Sequence, residues 1–282
     1  IFYLTWSQDH LKCIEKMEKT ILEGGKFAIA MPRGQGKTAI CRGAMLWALC
    51  YGHKKFLYFV GSKEPKAKQT LEAVKMNLVK NTSLLNDFPE VTYAPYRLEG
   101  RWHGAKGQLI YGNNTNVTWG ADEIRLPCVI PPEEIIDIYQ EHDPEALWHL
   151  PDINTITFHT CGSITRVAGI DGSIRGEAES HPITLEQPRP DCVLLDDVQK
   201  DQKAESLTSC EKLITLIDGA IEGLGGPDQL IASIMPCTVI KEGDVSDTYL
   251  SPEKKPEWNG ERCSFVTKWP NGLDDYDISI DT

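Results

Sequence analysis

The sequence predicts an α/β protein built on a mostly parallel sheet flanked by helices. Three observations carry this expectation. Residues 27–50 read as a short apolar strand, a glycine-containing turn and a helix. Residues 55–78 repeat the strand-then-helix order. Residues 192–197 form an apolar run that ends in two adjacent aspartates. Consecutive βα units favour parallel strands joined by right-handed crossovers.

Each element follows from local pattern. Over residues 8–23, Leu11, Ile14, Met17, Ile21 and Leu22 recur at helical spacing, and Gly24 and Gly25 end the helix. The run 27–31 is the first strand, and 37–50 is compatible with helix. KFLYFV over 55–60 is the second strand. Ala67, Leu71, Val74 and Leu78 then mark one face of an amphipathic helix. Residues 89–150 are rich in Pro, Gly and Asn, with short strand candidates at 107–111 and 116–119. The stretch 153–170 resembles a hairpin turning at Cys161, Gly162 and Ser163, so residues 89–170 are expected to add antiparallel strands. A helix is expected over 204–222 and a strand over 229–235. The domain boundaries read as 1–250 for the catalytic unit and 251–282 for an extension or linker.

Composition bounds the function classes. The 282 residues are 41% hydrophobic and 25% charged, enough for a large core and unlike a disordered tail or a small disulfide scaffold. The formal charge of −12 argues against a basic module held on nucleic acid by surface charge alone. That total hides a gradient. Residues 1–110 carry 17 basic and 9 acidic side chains, a net of +8, whereas 111–282 carry 12 and 32, a net of −20. Sign asymmetry bears on partners, so nucleic acid stays open. The nine dispersed cysteines fit reduced thiols of an intracellular protein. The seven histidines form no H-E-x-x-H or Cys/His spacing, so no transition-metal site is expected. No apolar run approaches the roughly 18 residues of a membrane span.

The chemistry concentrates in MPRGQGKT at 31–38. Between a strand and a helix, such a loop turns successive backbone N–H groups toward an anion. Gly34 and Gly36 permit close approach of the backbone, Lys37 adds a positive charge for the outer phosphates, and the Thr38 hydroxyl is a Mg²⁺ ligand. Gln35 lies within the same cradle. Met31 stands where the full G-x-x-x-x-G-K-[ST] pattern has glycine. A phosphate loop requires a second part, an apolar strand ending in acids, and CVLLDD at 192–197 supplies it. Asp196 is the expected metal carboxylate, and Asp197 the group that orients or deprotonates water.

Other candidates carry alternatives. Arg33, inside the loop, either reaches the phosphates in cis or pairs with an acid on the surface. Arg175, in GSIRG, either completes a neighbouring subunit's site in trans or stabilises its own turn. Arg166 and Arg189 are weaker candidates for the same role. Gln8, beside Phe2 and Trp6, has an amide suited to the N6 and N7 edge of adenine. Thr238, in MPCT, is either a γ-phosphate sensor or a buried capping residue. Lys54, Lys55, Lys63, Lys66, Lys68, Lys75 and Lys80 either track a phosphate backbone or form a solvated helix face, with Glu64 and Glu72 spaced to pair with Lys68 and Lys75.

Gln8, the arginine-containing MPRGQGKT loop, SIRGEAES, RPDCVLLDDVQ and IMPCT, taken in order, resemble the ATPase half of the large terminase subunit of tailed double-stranded DNA bacteriophages. The resemblance runs from residue 8 to about 250. It implies a P-loop NTPase fold of the RecA/ASCE type. It also implies ATP and Mg²⁺ as cofactors, and hydrolysis that drives double-stranded viral DNA into a procapsid. By position, Gln8 would contact adenine, Lys37 and Thr38 the phosphates and Mg²⁺, and Asp196 would be the Walker B acid. Thr238 would couple hydrolysis to motion, and Arg33 or Arg175 would trigger it. The partners implied are the portal protein, the small terminase subunit and further copies of the chain in a ring. The implied location is the host cytoplasm, at the portal vertex. Asp197 departs from the Glu that many relatives place after the Walker B Asp. Residues 251–282 would lead toward the family's nuclease domain, so ATPase activity without DNA cleavage is expected. A helicase-like translocase, a small-molecule phosphotransferase and a silent nucleotide-binding scaffold share the same loop and acids.

Overall fold

Burial of alternate faces of the strands organises the molecule. In the computed structural model, which describes residues 5–110, 112–128, 159–172, 174, 179–200, 204–224 and 230–264, Phe27 and Ile29 face one hydrophobic cluster while Ala28 and Ala30 face another. The same two-residue alternation recurs along the other central strands, with Leu57 and Phe59 on the first side and Phe56, Tyr58 and Val60 on the second. A sheet covered on both faces has near-continuous apolar strands, as these are.

The strands are β1 (Gly25–Ala30), β2 (Phe56–Gly61), β3 (Leu109–Ile110), β4 (Asn113–Asn114), β5 (Thr118–Trp119), β6 (Glu123–Arg125), β7 (Ile164–Gly169), β8 (Cys192–Asp196), β9 (Ala232–Cys237) and β10 (Glu261–Arg262). Among the described residues the main sheet has eight strands in the order β10-β1-β9-β8-β2-β7-β6-β5, and β3 pairs with β4 apart from it. Neighbours from β10 to β7 run parallel, and β6 and β5 continue the edge antiparallel. The expected α/β architecture with a mostly parallel sheet and added antiparallel strands is therefore present.

Helices α1 (Gln8–Glu23), α2 (Lys37–Cys50), α3 (Glu64–Lys80), α4 (Thr82–Asp87) and α5 (Pro89–Arg97) precede β3. The longer helices of this set cover the first face, and Ala67, Leu71, Val74 and Leu78 of α3 are fully buried there. Helices α6 (Leu207–Leu224) and α7 (Val245–Tyr249) cover the second face together with Trp258. Ser7 caps α1 in a capping box completed by His10.

Several expectations are corrected. Strand β7 occupies the second half of the expected hairpin. It runs parallel to β2, and its antiparallel neighbour is β6. Residues 153–158 of the expected hairpin lie outside the described residues, as do Phe2 and Gln229. Helix α5 was not anticipated, because Pro95 lies inside it; Pro89 at its first turn costs no hydrogen bond. Leu11 and Leu22 of α1 are exposed, and the buried stripe is Cys13, Met17, Thr20 and Ile21. Part of the 251–282 stretch read as an extension or linker packs on the sheet. Strand β10 pairs with β1, Trp258 is fully buried against Tyr249, and Lys12 and Lys16 pair with Glu261. Residues 265–282 lie outside the described residues.

Asp191 ties the starts of two central strands together. Its buried carboxylate accepts from the backbone N–H groups of Lys55 at 2.9 Å and Phe56 at 3.0 Å. Burial pushes its pKa up, opposed by those same hydrogen bonds. Asp191→Ala leaves both donors without that acceptor and is expected to lower the unfolding free energy by about 2–4 kcal/mol. Asp191→Asn keeps one acceptor oxygen and should cost less. Urea unfolding of the two variants beside the parent protein measures this order.

Candidate functional site

The C-terminal ends of β1, β9 and β8 lie side by side, and the predicted chemistry gathers there. In open α/β sheets this edge is where ligands bind. Strand β1 delivers the 31–38 loop, β8 delivers Asp196 and Asp197, and β9, between them, delivers Thr238.

The loop takes its shape from two glycines. Gly34 has φ +82° and Gly36 has φ +77°, a region other L-residues adopt at a cost. No heavy atom would meet an added Cβ within 4 Å at either position, so backbone conformation rather than crowding requires glycine. Gly36 is also the residue before α2 and offers no side-chain cap. The first N–H groups of α2 are thereby left for an anion. Lys37 is buried, and its ammonium donates to the carbonyls of Met31 at 2.9 Å and Pro32 at 3.2 Å. The charge is thus held across the loop on a flexible stem.

Thr38 and Asp196 meet although they lie far apart in sequence. The Thr38 hydroxyl donates to Asp196 Oδ2 at 2.7 Å. The other oxygen, Oδ1, is buried and has no hydrogen-bond partner among the described residues. A buried carboxylate oxygen without a partner is costly, which suits a position meant for a cation or its water. Burial pushes the Asp196 pKa up; the Thr38 hydrogen bond and the charges of Lys66 and Lys37 oppose the rise, while Asp197 adds to it. A divalent cation would reverse the balance by favouring the charged carboxylate. Thr38, Asp196 and the glycine loop therefore fit both a phosphate chain and Mg²⁺.

Asp197 has φ +50°, a left-handed conformation that Asp tolerates better than most residues. Its N–H donates to Pro236 O at 3.2 Å, which fixes the end of β8 against β9. Thr238 Oγ1 is buried without a partner among the described residues. Gln199, the last residue of LLDDVQ, accepts from Ser246 N at 3.3 Å and links this edge to α7.

A cleft of about 660 Å³ opens beside the loop, lined by Pro32, Arg33, Thr238, Val239, Ile240 and Arg262 among others. Its size is that of a small-molecule site. Arg33 is thereby placed at the mouth of the loop, on an exposed face. Gln8 is exposed at the first position of α1 and does not line the cleft. Its neighbourhood does reach the loop, through a contact that sequence reasoning missed. His10 Nε2 lies 2.9 Å from Gln35 O, while Ser7 N–H donates to His10 Nδ1, so Nε2 is the nitrogen carrying the proton.

The remaining candidates sort plainly. Arg175 lies outside the described residues. Arg166 is an ion-pair node held by Glu123 and Glu179, over the ring of Phe56. Lys68 pairs with Glu64 and Lys75 with Glu72, each at 2.5 Å, as the spacing indicated. Cys128, Cys161 and His181 form no sequence motif, yet they converge so that their ligand atoms lie within 4.8 Å of one another. No helix among the described residues is long and apolar enough to cross a membrane.

Because burial raises the folded pKa of Asp196, the ionised carboxylate costs stability that the neutral form does not. Stability from this group is full at low pH and declines as pH rises through the folded pKa. Asp196→Asn should therefore match the parent below pH ~4 and melt higher than it near pH 7–8 in nucleotide-free buffer. Thermal melts at both pH values check the sign.

Comparison with protein-family models and with curated proteins returns no match for this chain.

Proposed function

We propose that this chain is a Mg²⁺-dependent ATPase of the P-loop type, forming the ATPase half of a motor that moves double-stranded viral DNA into a procapsid. The observation that carries the ATPase reading is the Thr38–Asp196 hydrogen bond, with Asp196 Oδ1 unpartnered beside a two-glycine loop. The strand order supports it. One strand, β9, is inserted between the loop strand and the acid strand, as the RecA/ASCE class requires. The motor reading rests on the terminase-like order of motifs and belongs with the expected ring, portal and small-subunit partners.

The chain's own groups divide the work. Backbone N–H groups of 34–38 and the Lys37 ammonium bind the phosphate chain, after Lys37 exchanges the carbonyls of Met31 and Pro32 for phosphate oxygens. Thr38 and Asp196 hold the cation, which when bound neutralises charge on the transferring phosphoryl group. Asp197 orients water or takes its proton. Thr238 stands between the loop and the acids, where it can sense the terminal phosphate. Arg33, at the cleft mouth, stabilises charge that develops during transfer. Pro32, Val239 and Ile240 give the cleft an apolar wall for the base.

Release of inorganic phosphate from ATP is the primary test. Lys37→Ala should lower it by about two orders of magnitude or more, and Asp197→Asn should lower turnover while ATP binding persists. A phosphorylated small molecule in place of free phosphate would overturn the reading, as would strand displacement activity in place of packaging. If an arginine acts in trans within a ring, the rate per subunit rises steeply with protein concentration, or on adding DNA and portal. A rate that stays flat from nanomolar to high micromolar and is unchanged in Arg175→Ala removes the trans role. Loss in Arg33→Ala at every concentration assigns the trigger in cis.

A further inference from the structure

We propose that Cys128, Cys161 and His181 form a structural zinc site at the end of the sheet opposite the nucleotide edge. The three residues come from separate segments. Cys128 follows β6, Cys161 precedes β7, and His181 begins a turn closed by Leu185 N donating to His181 O at 3.1 Å. Their ligand atoms lie within 4.8 Å of one another. Tetrahedral zinc, with Zn–S of about 2.3 Å and Zn–N of about 2.0 Å, sets ligand–ligand edges of about 3.5–3.8 Å, so a small inward shift suffices. Thiolate with imidazole is the donor set of zinc rather than of Mg²⁺ or Ca²⁺. The fourth position falls to water or to a ligand outside the three.

Two further observations separate this cluster from ordinary buried thiols. The first is packing. Cys128 and Cys161 make up a hydrophobic cluster by themselves, with only Ile183 packed against it among the described residues. Two thiols and one isoleucine bury little apolar area, about one or two side chains' worth of stabilisation. The cluster itself thus adds little to the β6–β7 pairing and the Glu179 ion pairs that hold these segments. The second is the room made for the imidazole. Gly162 has φ +66°, and a Cβ there would sit 2.5 Å from His181 Nε2. Glycine thus lets the ring lie directly on the Cys161 turn, with Nε2 at 3.0 Å from Cys161 O.

The surroundings suit a metal. The Lys55 ammonium donates to His159 O, two residues before Cys161, and so places a positive charge at this turn. Backbone N–H groups of Ile183 at 3.3 Å and Thr184 at 3.1 Å donate to His181 Nδ1, so in the metal-free form the ring proton sits on Nε2. Ligation through Nε2 gives up its hydrogen bond to Cys161 O; the ring proton passes to Nδ1, which displaces the Ile183 and Thr184 N–H groups from it, and both thiol protons leave to solvent, so that two thiolates and a neutral imidazole hold the metal. The ion would join the 128 and 161 segments, which flank the antiparallel edge, to the loop that carries Glu179. That loop is already tied to the same strands by Arg125 and Arg166.

The test uses the full chain, expressed without a histidine tag and purified in reducing buffer without chelator. One zinc per chain is expected by elemental analysis. Exchange for Co²⁺ should give a thiolate-to-cobalt charge-transfer band together with intense tetrahedral d–d bands. Cys128→Ser with Cys161→Ser, and separately His181→Gln, should each reduce the metal content at least tenfold. A zinc-selective chelator in the presence of excess Mg²⁺ should lower the melting temperature and leave the initial rate of phosphate release from still-folded protein unchanged. Zinc at background in the unaltered chain, cobalt spectra without thiolate character, or full metal retention in the double serine variant would each overturn the proposal. A Cys128–Cys161 disulfide in peptide maps of the reduced preparation would also overturn it. The cobalt spectrum is read on the unaltered chain, so a variant that fails to fold leaves the test intact.

Discussion

The hydrogen bond from Thr38 to Asp196, 2.7 Å long and spanning 158 positions of sequence, holds the site together. It exists only because the sheet sets the ends of β1, β9 and β8 next to one another. Every group assigned to phosphate chemistry is referenced to it. The loop must end where α2 begins, so that Thr38 falls in the first turn. Strand β8 must end at Asp196, which pairs in register with Gly61 of β2. Shifting β8 by one residue would bury Asp197 and expose Asp196, because successive side chains alternate across a strand. The left-handed backbone at Asp197 and its bond to Pro236 stop the strand there.

Two buried aspartates at opposite ends of β8 spend the same carboxylate chemistry differently. Both have pKa values raised by burial. Asp191 spends both carboxylate oxygens on backbone N–H groups of β2, which fixes the crossover between strands. Asp196 spends one oxygen on Thr38 and leaves the other buried and unpartnered. A fold optimised for stability alone would pair that oxygen or remove the acid. Its retention is the kind of local cost that binding a cation offsets.

What was legible in the sequence was local. The strand, glycine turn and helix around 25–50 announce themselves through short-range spacing, as do the apolar face of α3 and the CVLLDD strand end. What was illegible depends on the path of the chain in space. His10 reaches Gln35 only because α1 crosses the loop strand, and nothing in its neighbours signals this. Cys128 and Cys161 are separated by more than thirty positions, and His181 follows another twenty on, so no spacing rule finds them. Helix α5 was hidden by its prolines, and β10 by its brevity, since two residues at a sheet edge carry no periodicity. Trp258 could have been a signal, because a tryptophan in a supposed linker has a large apolar area to bury.

The charge gradient along the chain also changes meaning once the strands are in place. The first 110 residues carry a net +8, and an unfolded reading offers them as a basic surface for DNA. Folding consumes much of that charge internally. Lys12 and Lys16 pair with Glu261, Lys68 and Lys75 with acids on their own helix, and Lys37 turns into the loop. Lys66 and Lys37 bear on Asp196, and Lys55 on Asp191 and Cys161. Positive groups from the first half thus meet acids from the second across the sheet, at the phosphate edge and at the opposite end alike. Part of the asymmetry in sequence is complementarity in the fold. Under the proposed function, a grip on DNA would fall to basic groups outside these ion pairs.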